Sequence, residues 1–184
     1  MYNHVYQLTH DMDCFFVLNG TPVHIATNGG IVPSSLGTVS EMQANQTQVA
    51  RMERRFNFSL NKEFLSTLDA GEFPSREDIL SLDLKTRSVE ELFENSEYQD
   101  IPFHWKVYSH SFAEMATKGF WSFDRTGELR VDFDYYTLIA WPTDANAKNK
   151  TLLGPRFEIP CCREWYKRPY LEGIELFGLL EMMK

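Results

Sequence analysis

Asp13-Cys14-Phe15-Phe16-Val17-Leu18-Asn19-Gly20-Thr21-Pro22-Val23-His24-Ile25-Ala26 is the densest apolar run of the chain, and it carries its own turn. Asn-Gly between two apolar runs is a strong hairpin signal, because a type I′ turn needs positive φ at both central residues. A two-residue loop fixes the register. Leu18 faces Thr21, Phe16 faces Val23 and Cys14 faces Ile25. Between them Val17 faces Pro22, Phe15 faces His24 and Asp13 faces Ala26. Both faces of this ribbon are largely apolar, so the hairpin should be covered on both sides. Pro22 lacks an N–H, so an unpaired edge is expected beside it.

The register makes Asp13 and His24 diagonal neighbours, roughly 7–8 Å apart between backbones. A carboxylate so placed can raise a histidine's pKa or orient its imidazole for proton transfer. Asp13 and His24, with His10 upstream, are therefore the catalytic candidates. A half-buried histidine packed on Phe15 and satisfied by a neighbour is the simpler account. Asn28-Gly29-Gly30 closes the second strand. Ile31 to Ser35 do not open a helix there, and no G-x-G-x-x-G or P-loop spacing occurs, so a plain turn is expected.

Outward from the hairpin, composition sets limits. The chain has 184 residues, which makes one domain spanning 1–184 the default, and such a chain buries roughly 70% of its unfolded surface. Phe 14, Tyr 8 and Trp 4 point to a large core, an aromatic pocket or both. A formal charge of −8 argues against general binding to a phosphate backbone and suits docking onto a basic protein. Three cysteines, two of them vicinal at Cys161-Cys162, make no disulfide framework and fit reduced thiols in a cytoplasm. We expect no signal peptide and no membrane span.

Met1 to His10 suits a short strand or a first helical turn. Thr38-Val39-Ser40-Glu41 is a capping box that should head a helix to about Arg54, with Met42, Val49, Met52 and Phe56 as its thin apolar stripe. Arg51, Arg54 and Arg55 at its end fit the helix dipole or an anion. Phe56 to Asn61 alternates as a half-buried strand, and Asn61 should cap a short helix, with Phe64, Leu65 and Leu68 inward, that ends near Gly71. Residues 72–100 read as an acidic helical insertion with two cap signatures, at Ser75-Arg76-Glu77-Asp78 and Ser88-Val89-Glu90-Glu91. Pro102 fits the first turn of the next helix, whose buried face is Tyr108, Phe112, Met115 and Ala116, with Gly119 at its C-terminal turn. His104 and His110, six apart, cannot share a metal as an H-x-x-x-H pair does.

A second hairpin is expected from Phe120 to Tyr135, bent near Thr126-Gly127. Arg125, Arg130, Asp132 and Asp134 are its binding candidates. Asp132 and Asp134 share one face and could hold a divalent cation or share a proton, but Arg130 beside them favours an ion-paired solvated face, and no metal is assigned. Tyr136 to Trp141 continues as an apolar strand. A polar loop at 143–151 and a final strand at 156–162 follow. Trp165 and Tyr166, set among Arg163, Lys167 and Arg168, form a short patch able to stack a base. Pro169 opens a last helix whose apolar stripe docks on the core and extends to a homodimer contact.

The recurring hairpins point to an α+β domain: a mostly antiparallel sheet of about five to seven strands with helices mainly on one face. The function expected is that of an acidic cytoplasmic interaction module, of the immunity, antitoxin or adaptor type, binding a basic protein partner, with no cofactor. The alternative is an enzyme acting on a nucleotide or nucleic acid. Val5-Tyr6-Gln7-Leu8-Thr9-His10, followed by an apolar run and Asn19-Gly20, resembles the opening of ADP-ribosyltransferase toxins. There a Tyr-His-x-Thr-His strand precedes a leucine-rich helix and a Gly. The resemblance implies NAD held near Thr9 and His10. Gln7 departs from that pattern, Asp13 to Leu18 reads as strand rather than helix, and no residue matches the family's catalytic glutamate.

Overall fold

The computed structural model describes residues 5–7, 13–18, 21–27, 31–33, 39–80, 84–125 and 136–143. The order of elements is β1 Val5–Gln7, β2 Asp13–Leu18, β3 Thr21–Ala26, β4 Ile31–Pro33, α1 Val39–Ala50, β5 Phe58–Leu60, α2 Lys62–Leu65, α3 Arg76–Leu80, α4 Leu84–Phe93, α5 Phe103–Thr117, β6 Trp121–Arg125 and β7 Tyr136–Pro142. The architecture is α+β. Five strands lie in the order β2-β3-β6-β7-β5, and β1 pairs with β4 as a separate ribbon. Among the described residues the main sheet has four strand pairings, of which only β3 with β6 is parallel.

The hairpin register is the one that a two-residue loop dictates, from Asp13↔Ala26 through Phe15↔His24 to Leu18↔Thr21. Cys14, Phe15, Val23, His24 and Ile25 are all buried, so both faces of the ribbon are covered. β6 joins β3 from Val23 onward, one residue past the proline that has no N–H to offer. β5 alternates as expected, with Phe58 and Leu60 inward.

α5 lies across one face of the sheet. Its Phe112, Ala113 and Ala116 share a core with Phe58, Leu60, Leu65, Leu92, Phe93, Tyr98, Ile139 and Ala140. Small residues at 113 and 116 let the helix approach the sheet closely. α5 ends in a Schellman turn: Gly119 takes φ 101°, its N–H reaches Ala116 O at 3.0 Å, and Phe120 N–H reaches Met115 O at 3.1 Å. That turn aims the chain into β6. It also buries Lys118, whose ammonium donates to Val49 O at 3.0 Å and pairs with Glu114 at 3.3 Å. The charge thus meets the end of α1, where carbonyls lack helical partners.

Several boundaries differ from expectation. α1 stops at Ala50, where Arg51 N–H closes a tight turn on Gln48 O at 3.1 Å. α2 stops at Leu65 because the hydroxyls of Ser66 and Thr67 bond back to Glu63 O and Phe64 O. Asn61 does cap it, accepting from Phe64 N–H at 3.0 Å. Ser75 and Asp78 make a reciprocal capping box, each accepting the other's N–H. Ser88 caps nothing: α4 begins at Leu84, so Ser88 lies within the helix, and its carbonyl accepts from His110 Nε2 at 3.1 Å. Pro102 is the N-cap of α5 rather than its first residue. β6 pairs with β7, Arg125 facing Tyr136.

The face at 128–135, the loop at 144–151, the strand at 156–162 with Cys161 and Cys162, the aromatic patch and the C-terminal helix with its dimer contact lie outside the described residues. So do Thr38, Asn19-Gly20 and Asn28 to Gly30.

Candidate functional site

β3 is the middle of three adjacent strands, and His24 sits on its α5-facing side. Its diagonal partner is Asp13, the first residue of β2. Its direct partner across the parallel pairing is Ser122 of β6. The side chains join: His24 Nε2 lies 2.9 Å from Asp13 Oδ1, and Nδ1 lies 2.6 Å from Ser122 Oγ. A hydrogen on Nε2 bonds the carboxylate, and a neutral ring then accepts at Nδ1 from the serine hydroxyl. Phe15 stacks on the imidazole with centroids 5.0 Å apart, and Phe112 of α5 lies at 6.1 Å.

The two ends of this chain of groups differ. Ser122 has no exposed surface and His24 only 1%, whereas 43% of the Asp13 side chain is open. Burial works against a charge on Asp13. The hydrogen bond and charge of His24 outweigh it and hold the carboxyl below the ordinary carboxylate value.

The connectivity is that of an acid–imidazole–hydroxyl triad. A nucleophile must, however, present its oxygen to a substrate, and Ser122 Oγ is sealed under α5 in the middle of a strand. The arrangement as it stands satisfies a core histidine from both sides, which is the simpler of the two accounts given for it above.

A second pair lies on the same face. Asp124, two residues along β6, accepts from the Tyr108 hydroxyl of α5. Burial, then the Asp124 carboxylate, pushes the Tyr108 phenol far above its usual value. Neither Ser122 nor Asp124 is a candidate on sequence grounds. The available signal was two small polar residues alternating with Trp121 and Phe123 in one strand, since residues two apart share a face.

Of the other candidates, Arg125 is buried at the end of β6. His10, Arg130, Asp132, Asp134, Trp165 and Tyr166 lie outside the described residues. Among the described residues no group of three or more His, Cys, Asp or Glu could hold a metal. None of their helices is long and apolar enough to cross a membrane.

A different surface lies at the far end of the sheet. A cleft of about 580 Å³ opens between β5 and the turn after α4. Phe56, Phe58 and Leu92 line it from within, and Glu91, Glu94 and Glu97 stand around it. α4 sets this pattern by turning Val89, Leu92 and Phe93 inward, which leaves Glu91 and Glu94 exposed. Asn95, at φ 62°, turns the chain out of the helix and brings Glu97 round. Arg54 also lines the cleft, and its guanidinium is 3.6 Å from Glu114.

No protein-family model, no curated protein and no solved structure matches this chain. β2 is a strand where the toxin family's opening has its leucine-rich helix.

Proposed function

We propose that this chain is an acidic, cytoplasmic interaction module, of the immunity, antitoxin or adaptor kind, and that it holds a basic segment of a protein partner at the cleft beside α4. The observation that carries this is the set of three exposed carboxylates, Glu91, Glu94 and Glu97, around a concave surface with apolar lining. The one cation of the described lining, Arg54, already has a carboxylate partner in Glu114. A lysine or arginine entering there meets charge-assisted acceptors at the rim and Phe56, Phe58 and Leu92 beneath its methylene stem. The net charge of −8 draws such a partner from a distance.

Rim charges govern association rate and salt dependence more than final affinity. The test is affinity capture from the cell of origin, run in parallel with wild type and the triple variant E91Q/E94Q/E97Q. The expected outcome is a basic protein that wild type retains and the variant loses. It should re-form a complex from purified components, with association slowing as salt rises. Equal retention by both proteins, or a retained partner with no basic segment, would overturn the proposal.

A further inference from the structure

One imidazole fastens three strands. Backbone pairing holds β2 to β3 and β3 to β6, but across the α5 face only His24 joins side chains from both neighbours, to Asp13 on one side and Ser122 on the other, among the hydrogen bonds of the described residues. Among the described strands β2 is the outermost of the sheet, and Asp13 is the point where it is tied inward. We propose that Asp13, His24 and Ser122 form an acid-sensitive latch, which keeps the β2–β3 hairpin seated on β6 while Asp13 is a carboxylate and releases it when Asp13 takes up a proton.

The chemistry follows from what each group can donate and accept. With a neutral ring, Nε2–H donates to Asp13 and Ser122 O–H donates to Nδ1. If the ring gains a proton, Nδ1–H donates to Ser122 Oγ, and the hydroxyl only has to rotate. Both bonds survive, so the latch tolerates either form of the histidine so long as Asp13 is charged. Protonation of Asp13 differs. An imidazolium then sits between Phe15 and Phe112 without the adjacent counter-charge, which is costly for a buried ion.

The groups facing His24 can be named by element. β2 supplies Asp13 and Phe15, β6 supplies Ser122 and, two residues on, Asp124, and α5 supplies Phe112 and the Tyr108 phenol that bonds Asp124. Asp124 is the second acid near the ring, but its carboxylate is engaged by Tyr108, and only Asp13 touches the imidazole. The linkage has the required sign. The Asp13 carboxyl titrates lower when folded, so its contribution is present above the ordinary value of 3.8 and is lost as pH falls through the folded value.

Amide hydrogen exchange, expressed as protection factors over a pH series, tests this. In wild type, the amides of Cys14, Phe15 and Ile25 should lose protection several-fold relative to those of α5 and β7 as pH falls below the carboxylate range. D13N leaves a neutral acceptor for Nε2–H but no counter-charge, so its hairpin should stay seated at neutral pH and lose protection on acidification at a higher pH than the wild-type hairpin does. H24Q keeps a donor and an acceptor but no charge, so its acid step should shrink several-fold; it serves if D13N does not fold. Two results would overturn the latch: hairpin and α5 amides losing protection together in wild type, or an undiminished acid step in H24Q.

Discussion

The two ends of the sheet treat charge in opposite ways. At the β2–β3–β6 end, each ionisable pair has a buried member: His24 with Asp13, Asp124 with Tyr108, and nearby Lys118 with Glu114 and the carbonyls of α1. At the α3–α4 end, carboxylates stand in solvent, and the ion pair Arg76–Glu90 is exposed on both sides. A buried charge must be satisfied locally or it is not tolerated. An exposed one costs little and is free to meet another molecule. The same residue types therefore hold the fold together in one region and define a surface in the other.

The acidic end is nonetheless anchored by a core residue, and removing it should give the largest effect. Phe93 of α4 is fully buried and meets Phe58 edge-on at 5.8 Å. F93A should lower stability by about 4 kcal/mol, the cost of a large aromatic cavity. Chemical denaturation checks this. A loss under ~1 kcal/mol would mean that α4 is only a loose cover, and the contrast between the two ends would then be one of order rather than of charge. Next is K118M, which keeps the buried stem and deletes the ammonium. Val49 O and Ala50 O lose the ammonium, though Val49 O keeps the Met52 N–H, and Glu114 is left with Arg54 at 3.6 Å, so about 1–2 kcal/mol should go. Far-UV circular dichroism should show helix loss at the end of α1.

These two ends were not equally legible from sequence. The hairpin was, because a two-residue turn and a period of two leave one register, and that register alone placed Asp13 beside His24. Ser122 was not, because it reaches His24 through a parallel pairing across 98 positions, and local periodicity carries no information about such a neighbour. The capping box at Ser75 was legible because its two partners are local. The same pattern at Ser88 misled. The helix had already begun at Leu84, and His110, from α5, bonds the serine's carbonyl instead. The cleft was invisible in the same way, since Phe56 and Phe58 on one side and Glu91 to Glu97 on the other meet only through the packing of α4 against α5 and of β5 under both.

Tyr108 gives a smaller effect with a pH signature. Y108F deletes the hydroxyl that Asp124 accepts, and it should cost about 1 kcal/mol at neutral pH, since Tyr108 is half-buried and water can replace part of the bond. The phenol titrates higher when folded, so its contribution is intact below the ordinary value of 10.0 and is lost as pH climbs above it. Wild type should lose stability between about pH 10 and 11, and Y108F should lose measurably less over the same range. Equal alkaline slopes would show that Tyr108 does not set this loss, and the buried end would then lack one of its matched pairs.

The smallest effect belongs to the exposed end and bears most directly on the contrast. Arg76 meets Glu90 with Nη2 at 2.7 Å and Nε at 2.9 Å, linking α3 to α4. Both nitrogens reach the same carboxylate oxygen, and both side chains are open to solvent. Such a pair gains little Coulomb energy in water and gives up side-chain freedom to form, so R76A should cost about 0.3–0.5 kcal/mol. The loss should vanish in molar salt, where screening acts over only ~3 Å. A cost above ~1 kcal/mol that persists in salt would mean that ion pairs organise α3 and α4, as they do the buried end. The carboxylates there would then be committed to the fold, and a rim of Glu91, Glu94 and Glu97 left open for a basic partner would lose its physical basis.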